Sequence, residues 1–308
     1  MKKLRFLVSL ITDQNDYQRA LAASAQDVAR RSAVDVHVVY ADNDPITQIQ
    51  QLLNAIQSKG ADRPDGVVCA PAGGTALPQV ARAAAAAGVG WAVLDPSADY
   101  LGELRGSAST PVFAVSADHK EIGRIQGRQM GALLPEGGAV LYIQGPSASY
   151  SAKQRAEGMN EARPKSLRIK LLHSAHWTEA SGKATTGSWL ALPIEHMQGI
   201  SVVAAQNDAM AMGAHKAFQE MPAGEERTRW LSLPLLGVDG LPGTGQDWLA
   251  KGLLAATVVV PTTAGPALEM MVQALQTGVQ PKERSVVPVK SLPEIAFLTP
   301  RSRVGQPA

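Results

Sequence analysis

Short apolar runs alternate along this chain with longer stretches in which apolar positions return every three or four residues. The first run, 4–10, gives way to an Ala-rich helical stretch at 17–31. Runs at 34–40, 66–70 and 91–94 follow, separated by helical stretches at 46–59 and 77–87. Brief apolar runs bounded by turn residues predict buried strands, and longer stretches of period 3.6 predict helices. Turn signals fall between them: Asp42-Asn43-Asp44-Pro45 before one helix, Gly88 after another, Asp95-Pro96 after the fourth strand. The cycle then restarts. Strands are predicted at 112–115, 139–143, 169–173, 201–205, 235–238 and 256–260. Helices are predicted at 120–134, 152–163, 181–190, 209–220, 245–251 and 264–277. Such alternation means parallel sheets with helices on both faces. The chain reads as α/β, in two similar halves of roughly 110–140 residues, each large enough for its own core.

Composition narrows the class. Of 308 residues, 45% are hydrophobic and 18% charged, which is too apolar for a disordered chain. Twenty-nine Lys and Arg against 27 Asp and Glu give a net charge of +2, so no basic surface for nucleic acid is expected. No apolar stretch approaches the ~20 residues of a membrane helix, so no membrane insertion is expected. One cysteine, Cys69, excludes internal disulfides, and its apolar strand makes it a core residue rather than a nucleophile. The basic start Met1-Lys2-Lys3 precedes an apolar run that Arg5 interrupts, too short for the ~7–15-residue core of a secretion signal. The expectation is a buried strand there: cytoplasmic as the sequence is written, periplasmic if a leader was trimmed from a longer precursor.

Ligands of open parallel sheets bind just beyond the carboxyl ends of the strands. Those positions hold Asp13, Asn15, Asp16 and Tyr17 after the first strand and Asp95 after the fourth. In the second half they hold Gln144, Ser147 and Ser149, with Arg155 on the next helix, then Trp177, Gln206, Asn207, Asp208 and Asp239. The set is polar and aromatic. It contains no Gly-x-Ser-x-Gly elbow and no Gly-x-Gly-x-x-Gly after the first strand. Ser181-Gly182-Lys183 is followed by Ala184, where a phosphate loop needs Ser or Thr. His173 and His176 have no third metal ligand nearby in sequence. The carboxylates at strand ends suit acid–base work, helix capping or ligand acceptance equally well. The expectation is a protein that is not an enzyme and uses no cofactor or metal.

Four motifs carry a resemblance. They are Ala205-Gln206-Asn207-Asp208-Ala209-Met210-Ala211-Met212-Gly213-Ala214, Gly145 followed by Ser151-Ala152-x-x-Arg155-x-Glu157-Gly158, Leu236-Gly237-Val238-Asp239-Gly240, and the segment 253–257. In this order and spacing the chain resembles the type I periplasmic binding proteins, in the branch of the ribose-binding protein; the ligand domains of lactose-repressor-type regulators share that fold. The resemblance runs from the first strand to about residue 289. It implies two lobes, each a parallel sheet flanked by helices, joined by a three-segment hinge with the ligand cleft between them. Lobe one would be 1–116 with 261–287, and lobe two 117–260 with 288–308.

The resemblance also implies roles. Asn15 would bond hydroxyls, Tyr17 would stack on a sugar ring, and Asp95 would accept from hydroxyls. Arg155 would donate from lobe two, Trp177 would stack there, and Asn207 and Asp239 would supply amide and carboxylate. Asp13, Gln18 and Gln144 are further candidates. Sugars present apolar C–H faces to aromatic rings and hydroxyls to charged partners, so the set suits them. Each residue also has a plainer reading. Trp177 could cap a core, Asp239 could be a turn residue, and Arg155 could pair with Asp239 or Glu157. Of Asn207 and Asp208 one should cap helix 209–220, and Asp208 is the expected cap, leaving Asn207 for the ligand. Three positions depart from the ribose pattern: Pro96 where an Arg follows the Asp, Gln18 where a second stacking Phe stands, and Val260 where a hinge-side Gln stands. A site missing a hydroxyl partner discriminates strongly, so a sugar or polyol other than ribose is expected. The expected role is the solute-binding component of an ABC importer, with a permease or a sensor protein as partner. The alternative is a cytosolic ligand-sensing domain of the lactose-repressor type without a DNA-binding module. A hydrolase using the carboxylates is a third class.

Overall fold

The apolar runs become buried strands because residues on both their faces meet helices. The computed structural model describes residues 3–300, apart from 74, 75, 96, 175 and 194–196. The chain divides into two compact units, Met1–Ala117 with Pro261–Pro288 and Asp118–Val260 with Val289–Ala308.

The first unit opens with β1 (Arg5–Leu10), α1 (Asp16–Ser32), β2 (Asp35–Tyr40), α2 (Pro45–Gln57), β3 (Gly66–Cys69), α3 (Pro78–Ala86), β4 (Gly90–Val93), α4 (Leu101–Ser107) and β5 (Val112–Ala117). The second continues with α5 (His119–Leu133), β6 (Gly138–Gln144), α6 (Tyr150–Ala162), β7 (Leu167–His173), α7 (Glu179–Leu190), β8 (Ile200–Ala205), α8 (Asp208–Gln219), α9 (Glu225–Ser232), β9 (Leu235–Asp239), α10 (Gly245–Ala250) and β10 (Ala256–Val259). Then α11 (Ala264–Thr277) and β11 (Arg284–Val287) belong to the first unit, and β12 (Lys290–Leu292) to the second.

The two sheets repeat one order. It is β11-β5-β4-β3-β1-β2 in the first unit and β12-β10-β9-β8-β6-β7 in the second. All pairs in the first sheet are parallel. In the second, only the β10–β12 pair is antiparallel. Strand order reverses between β1 and β3, and between β6 and β8. At such switch points the helices diverge and leave a crevice past the strand ends.

Each sheet is buried on both faces. In the first unit, one face packs Phe6, Val8 and Phe113 against Leu21 and Val28 of α1 and Leu268 and Met271 of α11. The other packs Val67, Cys69 and Trp91 against Leu52, Ile56, Val80 and Leu101. In the second unit, Leu141, Val203 and Leu235 meet Trp189, Phe218 and Trp230, while Val140 and Tyr142 meet Met130 and Met159. Cys69 is a buried free thiol, pushed up in pKa chiefly by that burial. Among the described residues no helix is long and apolar enough to cross a membrane.

Four elements escape the apolar pattern. Helix α9 is mostly polar and buries only Trp230. Helix α4 has seven residues and two buried leucines. Strands β11 and β12 are edge strands of four and three residues with no buried position.

Candidate functional site

In the first unit the site side chains rise from the end of β1. Asn15 is buried and caps α1, its Oδ1 accepting from Gln18 N at 3.1 Å. The extended backbone of a cap residue and its short acceptor suit Asn there. Gln18 turns its own Oε1 back to accept from Ile11 N at 2.9 Å, which closes the loop on β1. Tyr17 is half-buried against the α1 core and donates its hydroxyl to Pro261 O at 2.9 Å. Asp13 is exposed at the loop tip. Asp95, past β4, is buried, and its Oδ1 accepts from Ser97 N at 2.7 Å and from the Ser97 hydroxyl at 2.5 Å. The neighbouring Pro96 lies outside the described residues. Beneath this set, buried Gln48 ties the switch point together: it donates to Ser9 Oγ and Ala70 O, and accepts from Ala72 N.

In the second unit a second glutamine does the same work. Gln206, fully buried past β8, accepts from Gly145 N at 3.0 Å and donates to Ala152 O at 2.9 Å and Tyr142 Oη at 3.1 Å. It thereby holds the loop after β6 against the start of α6. Its backbone carbonyl accepts from Nη1 of Arg155, which is buried. The guanidinium also lies over the Trp177 ring, 5.3 Å from its centroid. Trp177 is half-buried and its ring rests on Gly145, where any side chain would overlap the indole. Asn207 donates from Nδ2 to Trp177 O at 3.0 Å. Arg155, Trp177 and Asn207 thus form one connected group on the Gln206 staple. Gln144 and Asp239 end β6 and β9, both buried, and Asp239 has φ 110°. Val260 is buried, and its N–H donates to Asp239 O at 3.0 Å.

One plainer expectation is corrected. Asn207, not Asp208, caps α8: its backbone is extended and its Oδ1 accepts from Met210 N at 2.8 Å. Asp208 is the first helical residue, and its carboxylate accepts from Gly240 N and the Thr257 hydroxyl, partners from β9 and β10 that local sequence does not reveal. Burial first, and the Asp239 carboxylate second, hold its pKa well above the ordinary value. Glu157 pairs with Lys120 at 2.9 Å.

Sequence reasoning also missed a Ser–His contact. His119 Nε2 and Ser151 Oγ lie 3.0 Å apart. Among the described residues, the buried Nδ1 of His119 has no hydrogen-bond partner. Burial, and then the charge of Arg155, lower the His119 pKa to about 3. Gln48 was equally hidden, because a glutamine on helix α2 reads as a surface residue until the loops it bonds are placed; Gln206 stood out at its strand end, but not as a staple between two loops. Among the described residues no group of three His, Cys, Asp or Glu could hold a metal ion.

Comparison with known proteins agrees with this architecture. The family described as "Periplasmic binding protein domain" matches residues 6–279. The D-allose-binding periplasmic protein of Escherichia coli is 26% identical over 300 residues, covering 95% of this chain and 89% of that one. The D-ribose/D-allose-binding protein of Pseudomonas aeruginosa is 30% identical over 156 residues, covering 50% and 47%. Among solved structures, an ABC transporter periplasmic solute-binding protein from Actinobacillus succinogenes with bound D-allose superposes with TM-score 0.79 at 18% identity, covering 94% of this chain and 97% of that one. The Caulobacter myo-inositol-binding protein superposes with TM-score 0.77 at 22% identity, covering 94% and 92%. With both switch points built alike and a family match over most of its length, the chain belongs to the type I periplasmic binding proteins, in the branch of the ribose-binding protein.

Proposed function

We propose that the protein binds a small carbohydrate or sugar-like solute without transforming it, as the solute-binding component of an ABC-type importer. Asn15, Tyr17 and Asp95 of the first unit would supply one half of the site. Arg155, Trp177, Asn207 and Asp239 of the second would supply the other, and the two would close on the ligand about the three chain passages. The observation that carries the reading is the Arg155–Trp177–Asn207 group. An indole braced on a glycine, with a buried guanidinium over its ring, puts an aromatic surface and a charged donor at one strand end. Such a pair recognises a ring with an apolar face and an edge of hydroxyls. The likeness to D-allose-binding relatives supports a hexose of that kind, and Gln18 and Val260, which depart from the ribose pattern, turn the reading away from ribose. Export to the periplasm, where the allose-binding relative is named as acting, is part of the same proposal.

The test is a thermal-shift and calorimetry panel of D-allose, other hexoses, pentoses in both ring forms, myo-inositol and a few amino acids. One sugar class should bind with a Kd in the micromolar range, about −8 kcal/mol. D-ribose should bind more weakly than the best ligand. An amino acid binding better than every sugar, or no saturable ligand across the panel, would overturn the reading.

A further inference from the structure

The Asp208 carboxylate is enclosed on every side that the structure describes. Its Oδ2 accepts from Gly240 N at 2.7 Å and its Oδ1 from Thr257 Oγ1 at 2.7 Å. The α-carbons of Gly237 and Gly245 stand so close that a methyl on either would overlap its oxygens. Two glycines therefore make room for one acid. That acid sits beside Asp239, and burying two carboxylates side by side is costly. An Asn or Ser would fill the space without the repulsion, so packing alone does not account for an acid there. What a carboxylate adds is acceptors for two donors at once, the Gly240 N–H and the Thr257 hydroxyl. The N–H it takes is Gly240's, immediately after a strained residue. Asp239 has φ 110°, a region that side-chain-bearing residues seldom occupy. Strain of this kind persists only where its surroundings over-determine it, and it gathers at functional sites. On one side the surroundings are the β10 ladder, with Val260 N donating to Asp239 O. On the other they are the Asp208–Gly240 bond.

We propose that Asp208 is a positioning residue: by holding the Gly240 N–H it keeps Asp239 in its strained backbone conformation and so fixes the carboxylate that Asp239 offers to a sugar hydroxyl. The last clause rests on the sugar-site reading; the clamp does not. Both parts are tested with D208A, D208N, D239G and the double variant D208A/D239G. The first readout is thermal unfolding without sugar. Glycine tolerates φ 110°, so a chain with D239G needs no clamp. The loss of Tm caused by D208A should be at least halved in the D239G background. Equal losses in both backgrounds would overturn the clamp. The second readout is calorimetry with D-allose at 15 °C, on variants shown by circular dichroism to be folded there. D208A should raise Kd at least tenfold, whereas D208N should stay within threefold, its amide oxygen accepting from Gly240 N and its NH2 donating to Thr257. Wild-type affinity in D208A would overturn the positioning role. If the wild type itself ignores D-allose and the rest of the sugar panel, the sugar reading fails, and the unfolding cycle still decides for or against the clamp.

Discussion

His119 opens α5 with a ring nitrogen sealed from solvent and Arg155 as its charged neighbour. An imidazole so placed stays neutral until about pH 3, against 6.5 when exposed. Between those values the unfolded chain binds a proton that the folded one refuses. Acidification through this window therefore favours unfolding, by up to about 1.4 kcal/mol per pH unit for the single group. Above pH 6.5 neither state is protonated and the group has no effect. A His119→Gln variant keeps an amide near the Ser151 hydroxyl and removes the titration. Urea unfolding from pH 7.5 to 4.5 should show the wild type losing stability faster than the variant. Parallel curves would mean that the ring is hydrated and titrates normally. Neighbouring residues show where a local reading stops. Asn and Asp cap helices almost equally well, so the expectation of Asp208 as the cap had no local ground to prefer it over Asn207. The choice is made by Gly240 and Thr257, both distant in sequence, which draw Asp208 inward and leave the cap to Asn207.

At the scale of elements, glycines set how closely helices approach. Gly123 of α5 and Gly158 of α6 each lie where a methyl would strike the other helix's backbone, at Arg155 and Lys120. Gly213 of α8 meets Glu179 of α7 in the same way, and Gly182 of α7 meets Met210. The glycines of the Met-Ala-Met-Gly-Ala and Ser-Gly-Lys stretches are thus packing residues, not ligand or phosphate contacts. Gly187, exposed on α7, is the internal control, because a methyl added there would meet nothing within 4 Å. Gly187→Ala should stabilise by about 0.5–1 kcal/mol through helix propensity. Gly213→Ala should gain the same propensity yet destabilise overall, because overpacking costs about 1–3 kcal/mol. Chemical denaturation of the two variants measures both, and effects of the same sign would refute the close-approach account. Most strands and long helices were legible because their burial leaves an unmistakable period. Helix α9 was not, since one buried Trp230 leaves no stripe, nor were the edge strands β11 and β12, each paired on one side only. Strand order was not legible either, because β1 pairing with both β2 and β3 is decided by contacts far apart in the chain.

For the whole molecule, each unit carries its own two-sided core, so unfolding need not be a single two-state event. A ligand held by both units would couple them, and its effect can be read without knowing the intrinsic stability of either. At a hundred times its Kd, a ligand that binds only the native state adds about 2.7 kcal/mol. For domains of 150–250 residues that corresponds to a rise of about 5–10 °C in Tm. Asp95→Asn in the first unit keeps an oxygen for Ser97, and Trp177→Ala in the second removes a half-buried ring. The quantity to compare is each variant's shift on adding sugar, so its own loss of stability cancels. If the strand ends of both units share one sugar, the two changes should each cut that shift by more than half. A full shift in Asp95→Asn with none in Trp177→Ala would put the whole site on the second unit. Asn15, Tyr17 and Asp95 would then be residues that shape a loop, held by Gln18, Pro261 and Ser97 for the sake of the fold alone.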